Sequence, residues 1–355
     1  KYLSETAVAG TTSAGNVATL NRVILPVIRR VMPTVIANEL VGVQPMTGPV
    51  GQIHTLRVRY SDTVGSGASG ASAGEEALSP FKIAEAYSGN ASTGKADNTS
   101  VLEGAAGNKL SIQILKQTVE AKTRKLSARW TFEAAQDAQS MHGIDVEAEI
   151  MAALAQEITA EIDQEVIASL NTLAGSAGQT YDQAAVSGTA TFVGDEHAAL
   201  AVQINRVSNQ IAQRTRRGAG NWAVVSPFAL TILQSATTSA FARTTEGSFE
   251  APTNTKMVGT LNNAMKVYVN TYAADNANVL VGYKGASESD AAAFYCPYIP
   301  LMSSGVVLDP STFEPTVSFM TRYGYIELSN TASSLGNAAD YLGAVAITSG
   351  NVSFS

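Results

Sequence analysis

Cysteine is almost missing: Cys296 is the single one in 355 residues. That excludes an internal disulfide framework and a cysteine-built metal cluster. Beside Pro297 in an apolar stretch, it suits a buried thiol. Histidine is scarce as well. His54, His142 and His197 lie far apart without metal-ligand spacing, which favours structural roles. Charge is thin: Asp, Glu, Lys and Arg make up 15% of the chain, against about a quarter in ordinary globular proteins. So little charge covers a free surface poorly and points to burial against copies of the same chain, although Ser, Thr, Asn and Gln also solvate. A basic excess is absent too. The net charge of -7 and pI near 5.1 exclude a tight electrostatic grip on nucleic acid. No apolar run approaches the roughly 18 residues of a membrane span. The chain opens at Lys1 without methionine or a signal-peptide pattern, as a processed or trimmed product would. No Walker pattern occurs, and nothing supports catalysis, a cofactor or a catalytic metal.

What is present is enough chain for two or three compact units or one large elaborated domain, with 45% hydrophobic residues. Residues 1–20 are small and polar and read as an extended arm. Residues 21–45 are dense in Val, Ile and Leu, and Pro26 and Pro33 interrupt them into one or two short docking helices. "GQIHTLRVRY" alternates, with Leu56, Val58 and Tyr60 on one face and Arg57 and Arg59 on the other. "LSIQILKQTVEAKTRKLSARWTFE" alternates again through Leu110, Ile112 and Ile114. The stretch between them, 61–109, is rich in Gly, Ala and Ser. Two long strands around a flexible excursion predict an antiparallel arm that needs a neighbour to rest on.

That excursion holds "GSGASG", a literal G-x-G-x-x-G. A dinucleotide fold needs a helix directly after the glycines, because the helix N-terminus holds the pyrophosphate. "ASAGEEALSP" follows instead, so the glycines read as a loop in a chain that has 29 of them.

The strongest periodicity is Ile150, Leu154, Ile158, Ile162, Val166 and Leu170. It predicts a rod over about 144–174, with Asp145 as N-cap and Gly175 as stop. A second helix follows a Gly/Ser/Ala segment, with Ala199, Val202, Val207 and Ile211 along one side. "NWAVVSPFALTILQSA" predicts strand, turn and helix; "MKVYVNTYA", "NVLVGYKG" and "AAAFYCPYIPL" predict short strands; "FEPTVSFMTRYGYIEL" predicts a long late one. Glu157, Glu161, Asp163 and Glu165 read as a solvated or salt-bridged helix face. "RTRRG" at 214–218 reads as a loop contact or inter-subunit pair. Asn90 and Asn98 match a glycosylation acceptor pattern without any sign of secretion.

Several stretches resemble, in the same order over about 30 to 325, the major capsid proteins of T4-like tailed bacteriophages. They are "RRVMPTVIANELVGVQPMTGPVGQIHTLRVRY", "FEAAQDAQSMHGIDVEAEIMAALAQEITAEIDQEVI", "KVYVNTYAADNANVLVGYKGASESDAAAFYCPYIPL" and "FEPTVSFMTRYGY"; the pieces "VQPM", "VGYKG" and "TRYG" are specific. The resemblance implies an α+β chain with the HK97-like capsid fold. It divides into an N-terminal arm, 1–46; an E-loop, 47–125, with 61–109 its flexible excursion; a P-domain, 126–220, with spine helix about 144–174; an A-domain, 221–310; and 311–355, the return strand of the P-domain and the tail. Larger members carry a folded insertion domain near 61–109, which here looks reduced or replaced.

The resemblance further implies a structural role. The chain would self-assemble, as hexamers, into an icosahedral head shell around phage DNA held non-specifically. Its partners would be copies of itself, a vertex capsid protein, portal, scaffold, prohead protease and decoration proteins. Assembly would occur in the bacterial host cytoplasm, the virion being the destination, with no membrane. A wall that bound DNA tightly would hinder packing, so the acidic balance fits. The family's protease cuts after Leu-x-Glu or Ile-x-Glu; Leu3, Ser4 and Glu5 match, and Ile83-Ala84-Glu85 matches too. Lys82, Lys95 and Lys109 lie in or near the E-loop, but the family does not rely on lysine–asparagine crosslinks. From their own pattern, Arg57, Arg59, Lys116 and Arg124 read equally as inter-subunit charge contacts or as ordinary polar strand faces. The alternatives are the pentameric vertex paralogue, a nanocompartment shell and a nucleotide-binding enzyme.

Overall fold

The computed structural model describes residues 36–65, 70–77, 86–186, 193–236, 241–243, 257–262, 264–288, 290–328, 338–348 and 352. In chain order the helices are α1 (Ala37–Leu40), α2 (Thr99–Leu102), α3 (Phe132–His142), the rod α4 (Val146–Ala174), α5 (Gln183–Val186), α6 (Val193–Thr215) and α7 (Pro227–Ser235). The strands are β1 (Gly42–Val43), β2 (Val50–Tyr60), β3 (Leu110–Glu120), β4 (Lys122–Arg129), β5 (Gln179–Tyr181), β6 (Trp222–Val225), β7 (Phe241–Arg243) and β8 (Met257–Leu261). They continue with β9 (Met265–Val269), β10 (Val279–Gly282), β11 (Ala293–Ser303), β12 (Val307–Leu308), β13 (Pro315–Glu327) and β14 (Leu342–Ile347), the last preceded by a 3-10 turn at Ala338–Tyr341.

The chain divides into two compact units. One takes Leu126–Ala155 and Ser303–Phe319; the other takes Pro33–Lys125, Gln156–Met302 and Met320–Ser355. In the smaller unit, Thr131 caps α3 by accepting from the Ala134 amide, and Gly143 ends it at φ 66°. Beside it, β12 pairs antiparallel with the start of β13, Val307 opposite Thr316.

The larger unit is built on a seven-stranded sheet of order β5-β14-β10-β6-β9-β8-β7. Strand alternation sends its side chains into two cores. Ala223, Val225, Val267, Val269, Val279, Val281, Val345 and Ile347 face α6 and α7, meeting Leu200, Ile204, Val207, Ile211 and Ile232. Trp222, Val224, Tyr268, Leu280 and Leu342 face the other way, toward Ile36, Leu40 and Val41 and the rod residues Val166, Ile167 and Leu170.

The rod matches its sequence pattern, with the Glu147 amide donating to Asp145 Oδ1 at 3.1 Å and Gly175 at φ 67°. One boundary between the compact units falls between Lys125 and Leu126, and the seven-stranded sheet draws on strands from 179 to 347. The face of α6 that docks on the seven-stranded sheet is Leu200, Ile204, Val207 and Ile211, whereas Val202 of the expected stripe is 63% exposed; β14, from the tail, lies beside β10 inside the sheet. Within residues 36–43, Ile36, Leu40 and Val41 are core, as docking segments would be. Burial decides these placements, since each stripe goes where another apolar face awaits it. Residues 1–35 lie outside the described residues, and so do Lys82 and Ile83–Glu85.

Candidate functional site

β2 and β3 form a separate two-stranded ribbon, in register from Val50 opposite Glu120 to Tyr60 opposite Leu110. Residues directly opposite share a face. One face therefore carries Leu56 with Ile114, Val58 with Ile112 and Tyr60 with Leu110; the other carries Arg57 with Gln113, Thr55 with Leu115 and Gly51 with Val119. The apolar face is bare: Leu56 is 64%, Leu110 56%, Ile112 69% and Ile114 67% exposed. At the far end Tyr60 is covered by the Tyr87 ring, with centroids 4.4 Å apart. The other face is the covered one. Val119 packs with Phe294 and Cys296, and Met46 and Ile53 flank them. Burial raises the Cys296 thiol pKa.

The excursion, expected to be flexible, carries a web of local bonds among its described residues. Val64 and Ala71 exchange both backbone hydrogen bonds, at 2.8 and 2.9 Å, across "GSGASG". Gly65 turns there at φ 73°. The Lys109 amide donates to Asp62 Oδ2 at 2.8 Å, and the Asn90 side chain donates to Asp97 Oδ2 at 2.8 Å. Among the described residues no helix follows these glycines before Thr99, whereas a pyrophosphate site uses a helix N-terminus directly after them.

The four candidate contact cations separate. Arg57 is buried on the covered face and donates to Glu76 Oε2 at 3.0 Å. Burial raises the Glu76 pKa despite that partner. Arg124 on β4 lies within 2.6 Å of both Glu161 and Glu165 and donates through Nε to the Tyr323 hydroxyl at 2.7 Å. Both arginines thus have acidic partners inside the chain. Arg59 pairs backbone to backbone with Glu76 and is half-buried. Lys116 is exposed on the apolar face opposite His54. Leu3, Ser4 and Glu5 lie outside the described residues. What sequence reasoning did not give is that Leu56, Ile112 and Ile114 stand exposed. Alternation marked their face, but which face is covered depends on contacts far along the chain.

The other titratable groups settle into structural roles. His197 is fully buried with Nδ1 at 2.5 Å from Ser235 Oγ. Asp163 is buried in the rod and accepts from the Ile36 and Ala37 amides at 2.9 and 2.6 Å. Arg217 of "RTRRG" pairs with Asp290 at 2.6 Å. Among the described residues no group of three His, Cys, Asp or Glu is placed to hold a metal.

Comparison with known proteins gives these surfaces a context. Residues 17–347 match the family described as Major capsid protein Gp23. The chain is 30% identical to the major capsid protein of Vibrio phage KVP40, covering 92% of this chain and 80% of that one. It is 31% identical to that of Enterobacteria phage T6, over 91% and 81%, and 29% identical to that of Enterobacteria phage T4, over 91% and 78%. Among solved structures it resembles a chain of Microbacterium phage Oxtober96 at TM-score 0.57 and 13% identity, over 94% and 98%. It also resembles the capsid of Myoviridae phage XM1 at TM-score 0.55 and 12% identity, over 96% and 99%. The fold is α+β and HK97-like. With a ribbon whose apolar face is left uncovered and a match across nearly its whole length, this chain belongs to the Gp23 major capsid protein family of T4-like phages.

Proposed function

We propose that this chain builds the head shell of a tailed phage by lapping the bare face of its β2–β3 ribbon over a second copy. Its role is structural and non-enzymatic, like that of its relatives, and it is a virion component. The observation that carries the reading is the row Leu56, Leu110, Ile112 and Ile114, each more than half exposed in the free chain. A contiguous apolar strip of this kind marks an interaction surface. A copy laid across it removes that strip from water, at about 25 cal/mol per Å² of apolar area. Many such contacts per shell sum to a container far tighter than any one of them.

In finer terms, 47–125 acts as an E-loop, and subunits gather as hexamers through the seven-stranded sheet region. Assembly proceeds in the host cytoplasm with scaffold, portal, vertex protein, decoration proteins and a protease that trims at or before Leu3-Ser4-Glu5. Lys116 and Arg59 serve as the rim charges of the lapping face. DNA is enclosed without a specific grip, as the net charge of -7 favours.

Quantitative mass spectrometry of purified particles tests this. The chain should be the dominant protein. About five copies per vertex would identify the vertex paralogue instead, and absence from particles would refute the reading.

A further inference from the structure

We infer that the root of the ribbon is a locked joint, with Arg124 and Gly324 as the positioning residues that aim the ribbon for assembly. This rests on the reading of the ribbon as the lapping surface. The joint is made by three elements of the larger unit meeting at consecutive residues of one strand.

Tyr323 and Gly324 on β13 do the two halves of the work. The Tyr323 hydroxyl accepts from Arg124 Nε at 2.7 Å and donates to Glu165 Oε2 at 2.5 Å. Arg124 completes the ring by donating from Nη1 to Glu161 Oε2 and from Nη2 to Glu165 Oε2, both at 2.6 Å. Glu161 and Glu165 stand one helical turn apart, where like charges repel. The guanidinium across them turns that repulsion into a brace between β4 and the rod. Its planar fork reaches three acceptors at once, which an ammonium on a flexible stem does not.

One residue on, Gly324 admits Val119 at the base of β3. A Cβ at Gly324 would lie 2.5 Å from Val119 Cγ2, and a Cβ at Gly51 would lie 3.0 Å from Val119 Cγ1. The isopropyl group is wedged between two glycines, and any side chain at Gly324 would push the ribbon off its seat. The flanking residues hold β13 itself in place. Thr321 Oγ1 donates to the Ile299 carbonyl at 3.0 Å, and the Arg322 guanidinium lies 5.2 Å from the Tyr298 ring centroid. The sequence piece "TRYG" is thus a socket for the ribbon root.

The lever arm explains why a joint is needed. Eleven residues per strand make a ribbon on the order of 36 Å long at about 3.3 Å per residue. A rotation of about 10° at the root moves its far end by about 6 Å, beyond the roughly 4.5 Å reach of a side-chain contact. A ribbon free at its root would meet its neighbour in many poses, and an ordered lattice accepts one.

The test uses spin labels on cysteines placed by Ser111→Cys near the ribbon end and Glu157→Cys on the rod, with buried Cys296 left unlabelled in the folded chain. The parent should give one narrow distance distribution. Arg124→Ala and Gly324→Ala should each broaden or shift it by several ångströms, Arg124→Lys should not restore it, and the same variants should give misshapen or open particles. If Gly324→Ala fails to fold, Arg124→Ala decides, because that side chain is 31% exposed. Unchanged distributions in Arg124→Ala and its Lys counterpart would overturn the joint. A loosened ribbon that still closes normal shells would overturn its positioning role. Normal shells from a chain whose lapping face is charged, with the distances unchanged, would sink the lapping reading and leave the joint standing.

Discussion

The seven-stranded sheet and the two-stranded ribbon are written in the same alternating code, yet one is finished within the chain and the other is not. In the sheet, Val224 and Leu280 find the rod and the 36–41 segment, while Ala223 and Val281 find α6. In the ribbon, Val119 finds Phe294 and Cys296, while Ile112 and Ile114 find nothing in the described chain. Alternation assigns side chains to faces, and the supply of covering elements decides which faces are closed. A subunit that closed both faces of the ribbon would have no reason to lap. On the proposed reading, the bare face is where intrachain folding hands over to assembly.

Substitutions should separate the two regions. Ile211→Ala, at a fully buried position under the sheet, should cost about 2–5 kcal/mol through lost burial and a cavity. The denaturation midpoint of the free subunit measures it. Ile112→Ala, 69% exposed, should stay within about 0.5 kcal/mol in the same assay. A large loss at Ile112 in the free subunit would mean that its face is covered within the chain.

A modest, pH-dependent effect on stability is expected at the ribbon root. Burial pushes the Glu165 pKa up, but hydrogen bonds from Tyr323 and Arg124 outweigh it and hold the carboxyl below its usual value. A group depressed in the fold contributes stability above its unfolded pKa and loses it as pH falls through the folded value. The midpoint difference between the parent and Glu165→Gln should be present at pH 7 and shrink below about pH 4.3. It should be modest, because Glu165 is 49% exposed and screened by water. A difference that grows on acidification would contradict this assignment.

Much of the fold was legible. The four-residue recurrence from Ile150 to Leu170 is the rod, and Asp145 caps it. The two alternating stretches are β2 and β3 at their expected places. Each signal is local, carried by neighbours within a turn or a strand. What escaped is non-local. Asp163 read as one more acid on a wet helix face, but it is buried and holds amides more than a hundred residues away. Arg57 read as a candidate inter-subunit contact, and its pairing with Glu76 on the covered face was not visible in the pattern. The short segment 342–347 does not tell a central strand from an edge, and its place beside β10 depends on partners at 279–282, far earlier in the chain. The candidate surface was half legible: the pattern separates apolar from charged faces, and nothing in it says that the apolar one stays bare.

The most direct test charges that face. Lysines at Ile112 and Ile114 together should leave a soluble subunit with unchanged circular dichroism and thermal midpoint, and electron microscopy should find no closed shells. Closed shells at the parent's yield from that double variant would contradict the claim that this face joins the copies.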